Sequence, residues 1–216
     1  MCHPQASGFG AQKKTRRASE QGRADVVAER AAFAEAVKTI APESLVFLDE
    51  TGVNTKLTRL YARAPRGRRA CGTAPGRWHR LTVLGALTLS GVVAAMTVPA
   101  ATDWPVFQAF LQQVVIPSLR QSKPGATLVM DHLAAHRIPR ARALLESAGF
   151  TLLPLPRYSP ELSPIELCWS KLKTPLRTAE PRSLAAIEEQ IVPALDTITA
   201  QDAKGWFRHC GYPASH

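Results

Sequence analysis

Two short apolar runs, each closing on an acidic residue, constrain this chain more than any other feature. Leu45-Val46-Phe47-Leu48 stops at Asp49-Glu50, and Ala126 to Met130 stops at Asp131. Short runs of this kind, the second interrupted only by Thr127, predict strands covered on both faces, as central strands are in a sheet flanked by helices. In open α/β sheets ligand chemistry gathers at the carboxyl ends of strands. Two carboxylates on neighbouring strand ends repel each other unless a cation lies between them, so a metal site is one reading. Either aspartate taken alone is explained as well by a loop or helix cap, a common role for Asp after a strand.

The surrounding sequence supplies the rest of such a sheet. Val26, Val27, Ala31, Phe33, Ala34, Val37 and Ile40 predict a helix from Ala18 to Ile40, ended by Pro42. Leu81 to Leu89 and Val92 to Val98 predict a hairpin across Ser90-Gly91. Asp103-Trp104-Pro105 opens a helix whose buried stripe is Phe107, Phe110, Leu111, Val114 and Val115. A helix from His136 to Ala148 closes at Gly149, and a strand follows from Phe150 to Leu153. Helical segments then begin near Ser163, Ser183 and Ala200. This order predicts an α/β fold, a mixed sheet flanked by helices. The sheet belongs to one domain over residues 41–216, behind a basic arm and linker helix over 1–40.

The third acid of interest lies in Leu152 to Lys173, LLPLPRYSPELSPIELCWSKLK. A proline-rich turn there leads into a helix with Glu166 in its first turn. Ser163-Pro164-Ile165-Glu166 matches a capping box, which explains this Glu without any chemistry. Ile165, Trp169, Leu172 and Leu176 form the inward stripe, leaving Lys171, Lys173 and Arg177 for solvent or DNA. Glu166 sits at the edge of that stripe and can point either way. His132 and His136 have a spacing that can bind zinc, but no Glu follows His132 and no matching Cys or His cluster exists, so zinc is set aside.

Charge points to the partner. Lys and Arg number 27 against 17 Asp and Glu, a formal +10, which favours a polyanion. No acidic residue occurs between Thr51 and Thr102, where Lys56, Arg59, Arg63, Arg66, Arg68, Arg69, Arg77 and Arg80 fall. Self-repulsion makes a merely solvated surface expensive there and favours contact with nucleic-acid phosphates. Tyr61 and Trp78 either stack on bases or belong to the core. A membrane surface is the weaker rival, because no apolar run approaches the roughly 20 residues that span a bilayer. Cys2, Cys71, Cys168 and Cys210 form no CxxC pair, which predicts a reduced, cytoplasmic compartment.

Three blocks together carry a family resemblance: LVFLDETG around Asp49, TLVMDHLAAH around Asp131, and LPLPRYSPELSPIELCWSKLK around Glu166. They resemble the signature blocks of DDE transposases, with the mariner-like superfamily in its bacterial insertion-sequence branch most similar. The likeness runs from about Arg23 to Phe207, with 34 residues between Asp131 and Glu166. It implies a ribonuclease-H-like fold, two Mg²⁺ or Mn²⁺ ions, and cleavage and joining of DNA at the ends of a transposable element. Asp49, Asp131 and Glu166 become the catalytic metal ligands. Arg63, Arg66, Arg68, Arg69, Arg77, Arg80, His136, Lys171 and Lys173 become the expected DNA contacts. The resemblance also implies a homodimer on DNA, in the bacterial cytoplasm and on the nucleoid when bound. It further implies a helix-turn-helix half, expected from a separate or frameshift-fused reading frame. His132 stands where many relatives have Asn. An inactive remnant that binds DNA nonspecifically, and a structure-directed nuclease of the same fold, are the alternatives.

Overall fold

The two apolar runs form neighbouring strands of a five-stranded sheet. The computed structural model describes residues 18–131 and 137–214. His132, His136 and the basic residues of the N-terminal arm lie outside them. The strands are β1 (Leu45–Asn54), β2 (Arg80–Thr88), β3 (Gly91–Val98), β4 (Thr127–Met130) and β5 (Thr151–Pro154), in spatial order β3-β2-β1-β4-β5. β1, β4 and β5 pair in parallel, while on the other side of β1 strand β2 pairs antiparallel with β1 and β3 antiparallel with β2. This is the ribonuclease-H-like mixed sheet that the three sequence blocks imply.

β1 corrects one expectation. Instead of stopping at Leu48, it runs ten residues to Asn54, because β2 pairs with it from Phe47↔Leu87 to Asn54↔Arg80. Its parallel pairing with β4 ends at Leu48↔Met130. Asp49 is therefore inside a strand, at the point where the parallel neighbour has ended. Asp131, immediately after β4, reaches the same level.

Helices cover both faces. One face carries α2 (Trp104–Ala109), a π-helical turn (Phe110–Val115), α3 (Ile116–Ser122) and α4 (Arg137–Ser147). Asp103 caps α2 by accepting from the Val106 N–H at 3.0 Å, and the stripe of Phe107, Phe110, Leu111 and Val115 is buried. Val114 is only partly covered, since the π turn rotates it off the stripe. Gly149 ends α4 with φ of +85°, a left-handed position suited to glycine.

The other face carries α5 (Pro164–Ala179), α6 (Leu184–Asp196) and α7 (Ala200–His209). Ile165, Cys168, Trp169, Leu172 and Leu176 of α5 are buried against Phe47, Val83, Leu87 and Val129 of the sheet. Phe47, Phe207 and Tyr212 pack edge to face, and the Tyr212 hydroxyl donates to the Leu162 carbonyl at 2.6 Å. Alternation along β1 sends Val46 and Leu48 to the α2–α4 face, and Leu45 and Phe47 to the α5 face. Asp49 continues the second set and points toward α5.

The expected first helix divides. A 3₁₀ turn (Ser19–Gly22) precedes α1 (Ala24–Lys38), with Arg23 extended between them. α1 buries Val26 and Phe33 and is tied to the segment before α5: Arg157 pairs with Glu29 at 2.6 Å and with Asp25 at 2.7 Å, and Arg30 pairs with Glu161 at 2.8 Å.

Candidate active site

A cavity of about 430 Å³ opens where β1 and β4 end their parallel pairing, and Asp49, Asp131 and Glu166 all line it. Each arrives from a different element: Asp49 from β1, Asp131 from the residue after β4, and Glu166 from the first turn of α5. Residues 157–160 close one wall. Tyr158 there takes a left-handed φ of 55°, held by Gln21, which donates to its carbonyl at 2.6 Å. A strained residue kept in place by its surroundings is a common mark of a functional wall.

The capping box that would have explained Glu166 without chemistry does not form. Ser163 makes no side-chain cap bond, and only the Glu166 backbone N–H reaches the Ser163 carbonyl, at 3.2 Å. Glu166 instead lines the cavity while remaining accessible to solvent. Burial raises it above the ordinary carboxylate range, the charge of Asp131 adds to this, and Lys173 opposes it.

Asp49 is pushed further, up to about 7. Burial of the carboxyl is the main cause, and the negative charge of Glu166 is next. The Glu50 backbone N–H and the Trp169 indole, which donates to Asp49 Oδ2 at 2.8 Å, work in the opposite direction. Burial and the charges of neighbouring acids raise both Asp49 and Glu166 in this cavity. That is the electrostatic condition a divalent cation relieves.

The donor set fits a hard cation: three carboxylates, no thiol, and space for water and phosphate oxygens. Among the described residues, no three Asp, Glu, His or Cys side chains stand close enough to enclose an ion together. Mg²⁺ in particular is commonly held by one or two carboxylates with several waters, so a fully closed cage is not required.

The basic stretch is the connection between β1 and β2. Arg59, Arg63, Arg66, Arg68, Arg69 and Arg77 are exposed along residues 55–79. Tyr61 is 87% exposed and Trp78 is 51% exposed, which excludes both from the core. Arg182 fastens the base of this segment, donating to the carbonyls of Thr55 at 3.1 Å, Leu57 at 3.3 Å and Thr73 at 3.4 Å. Arg182→Ala should therefore speed trypsin cleavage within residues 56–77 several-fold. The same change should lower global stability by only about 1 kcal/mol, the scale of a few exposed hydrogen bonds. Digestion with a parallel thermal melt checks this, and unchanged cleavage would show that Arg182 does not hold the segment.

Two of the expected DNA contacts sit differently from the rest. Lys171, expected to face solvent or DNA, instead pairs with Asp202 of α7 at 2.5 Å, so its charge is matched within the fold. That pairing, together with Thr199, holds Asp202 down at about 2. Lys173 is half-buried near Glu166 and Asp49, and burial lowers it below the usual lysine range. Arg80 is exposed at the start of β2, with its guanidinium crossing Gly52. Sequence reasoning missed Trp169 as a partner of Asp49, reading it only as part of the buried stripe. The available signal was Gly85, a glycine inside an apolar strand, which often marks a close approach by another group.

The profile of a family described as DDE superfamily endonuclease matches residues 44–188. The Mos1 transposase paired-end complex with left transposon end superposes with a TM-score of 0.72 at 16% identity, covering 93% of this chain and 62% of that one. The Mos1 Strand Transfer Complex gives 0.65 at 17% identity, covering 97% and 62%. The catalytic domain of Mos1 mariner transposase gives 0.60 at 14% identity, covering 92% and 91%. Likeness at such identity establishes a shared fold. The chain spans about three-fifths of the length of the longer Mos1 chains. No curated protein sequence matches it. Among the described residues, no helix is long and apolar enough to cross a membrane.

Proposed function

The chain belongs to the DDE superfamily of endonucleases, and on that premise we propose that it is the catalytic part of a mariner-like transposase of the bacterial insertion-sequence branch. Its reaction is the cutting and joining of DNA at the ends of a mobile element. The observation that carries this reading is the arrival of Asp49, Asp131 and Glu166 at one cavity from three separate elements. Residues 41–216 form the catalytic domain, and residues 1–40 the arm and linker helix.

In this reading Asp49, Asp131 and Glu166 hold two Mg²⁺ or Mn²⁺ ions. When bound, such ions activate water or a 3′-hydroxyl toward a phosphodiester and offset charge on the leaving oxygen. The chain's own residues do the rest. Asp49 is held in orientation by Trp169, and the wall at residues 157–160 limits water beside the carboxylates. Lys173 supplies a nearby positive charge for a phosphate. The exposed arginines of residues 55–79, with Arg80 and His136, grip the DNA backbone. A second copy on DNA and a helix-turn-helix half complete the assembly.

The test uses supercoiled plasmid and a labelled oligonucleotide with a 3′-hydroxyl, each incubated with the protein in Mn²⁺. Nicking together with joining of the oligonucleotide to the plasmid supports a transposase. Nicking without joining would reduce the reading to a nuclease, and a plasmid that carries the element ends and stays untouched even with the helix-turn-helix half supplied would overturn it. The basic segment has its own readout. Arg66, Arg68 and Arg69 changed together to Ala should flatten the dependence of log affinity on log salt by about 0.9 for each phosphate no longer neutralised. An unchanged slope in filter binding would remove these three residues from the interface.

A further inference from the structure

Trp169 lies three residues after Glu166 on α5 and is 2% exposed. Its indole N–H, a group that can only donate, reaches Asp49 Oδ2 at 2.8 Å. The ring crosses Gly85, the residue paired with Asp49 between β1 and β2. A Cβ at position 85 would stand 2.5 Å from Trp169 Cη2 and 3.2 Å from Cζ2. Three positions therefore interlock: a bare glycine on β2 makes the seat, the indole fills it, and the acid on β1 accepts from the indole.

We propose that Trp169 is a positioning residue that fixes the rotation of the Asp49 carboxylate and makes it bind a divalent ion through one oxygen. The proposal rests on the reading of Asp49 as a metal ligand. The 2.8 Å bond takes one lone pair of Oδ2 and fixes the rotation of the carboxylate, so turning the group to close both oxygens on one ion would stretch that bond. Mg²⁺ and Mn²⁺ suit one-oxygen binding in octahedral sites, whereas Ca²⁺ readily takes both oxygens of a carboxylate. Trp169 thus selects the smaller ions. It also joins the first and third carboxylates, because one turn of α5 carries both Glu166 and the group that orients Asp49. A shift of that turn moves both together.

The experiment replaces Trp169 with L-3-benzothienylalanine, which keeps the bicyclic shape and puts sulfur in place of the N–H. Gly85→Ala is the second variant, displacing the indole through the backbone opposite. Mn²⁺ and Ca²⁺ affinities are measured by calorimetry, with a melt in chelator for each protein. Loss of the N–H should weaken Mn²⁺ about tenfold, the low end for removing a partner behind a metal ligand. It should leave Ca²⁺ affinity unchanged or improved, and lower the chelated melting temperature by only the roughly 2–4 °C that one lost hydrogen bond costs. Folded Gly85→Ala should show the same narrowing of the Mn²⁺ to Ca²⁺ ratio. If both variants bind Mn²⁺ with the unmodified affinity and ratio, Trp169 is packing alone and the proposal is wrong. If the unmodified protein binds no Mn²⁺, the metal reading itself fails and this proposal goes with it.

Discussion

Asp131→Asn should lower metal-dependent nicking of plasmid DNA by at least about a thousandfold while leaving the fold intact. Asp131 follows Met130, the last β4 residue paired in parallel with β1, and its carboxylate lines the cavity shared with Asp49 and Glu166. Asn keeps the shape and removes the charge. A metal ion stabilises transition-state charge by several kcal/mol, and each 1.4 kcal/mol is about tenfold in rate. Losing one ligand of three is therefore expected to remove about 4 kcal/mol or more. Glu50→Gln is the matched control. Glu50 neighbours Asp49 in sequence, but strand alternation sends its side chain to the opposite sheet face. Nicking by that variant should stay within about twofold of the unmodified protein. Full activity in Asp131→Asn would sink the assignment of this cavity, and comparable losses in both variants would mean that general destabilisation was being read.

The sheet was legible because its signals are local. A run of four or five mainly apolar residues ending at an acid leaves few alternatives to a central strand, and Asp103 two residues before Pro105 marks a helix start by backbone chemistry alone. What sequence could not resolve was where a side chain turns once two elements meet. Ser163 and Glu166 have the spacing of a capping box, yet the Ser163 side chain makes no cap bond and Glu166 is drawn to the cavity. Lys171 falls on the polar side of α5 by periodicity, but α7 packs there and supplies Asp202. Tyr61 and Trp78 sat equally well in a core or on a surface until the β1–β2 connection was seen to run outside the sheet.

The site was half legible for a related reason. Asp49 and Asp131 could be paired on paper because each closes a mainly apolar run, although β1 itself continues past Asp49 to Asn54, and Glu166 joined them only through the order of the three blocks. The Trp169 to Asp49 bond spans elements 120 residues apart and depends on the absence of a side chain at Gly85. No periodicity within α5 reports what the facing strand leaves open. A glycine inside an apolar strand was the available hint, since such residues often mark a close approach by another group.

Without metal, Asp49→Asn should stabilise the protein, and increasingly so as pH rises. The Asp49 carboxyl in the fold is pushed up to about 7 from an ordinary value of 3.8, chiefly by burial and then by Glu166. A proton is thus held more tightly in the folded than in the unfolded chain. Below about pH 4 both forms are protonated and this acid costs nothing. Between about pH 4 and pH 7 the unfolded chain ionises first, so folding stability falls, and above about pH 7 the loss is complete. At about 1.4 kcal/mol for each pH unit, the full penalty is of order 4 kcal/mol. Asn is neutral, nearly isosteric and still able to accept from the Trp169 indole, so it escapes that penalty. Urea unfolding in chelator should give nearly equal stabilities for the two proteins at pH 4, and a lead for Asp49→Asn of roughly 2–4 kcal/mol at pH 8. Mn²⁺ should reverse the order at pH 8, because the ion compensates an ionised Asp49 and binds the Asn variant poorly. A stability difference that does not change with pH would show that the Asp49 carboxyl is not held protonated by its surroundings. Equal stabilisation of both proteins by Mn²⁺ would remove Asp49 from the ligand set.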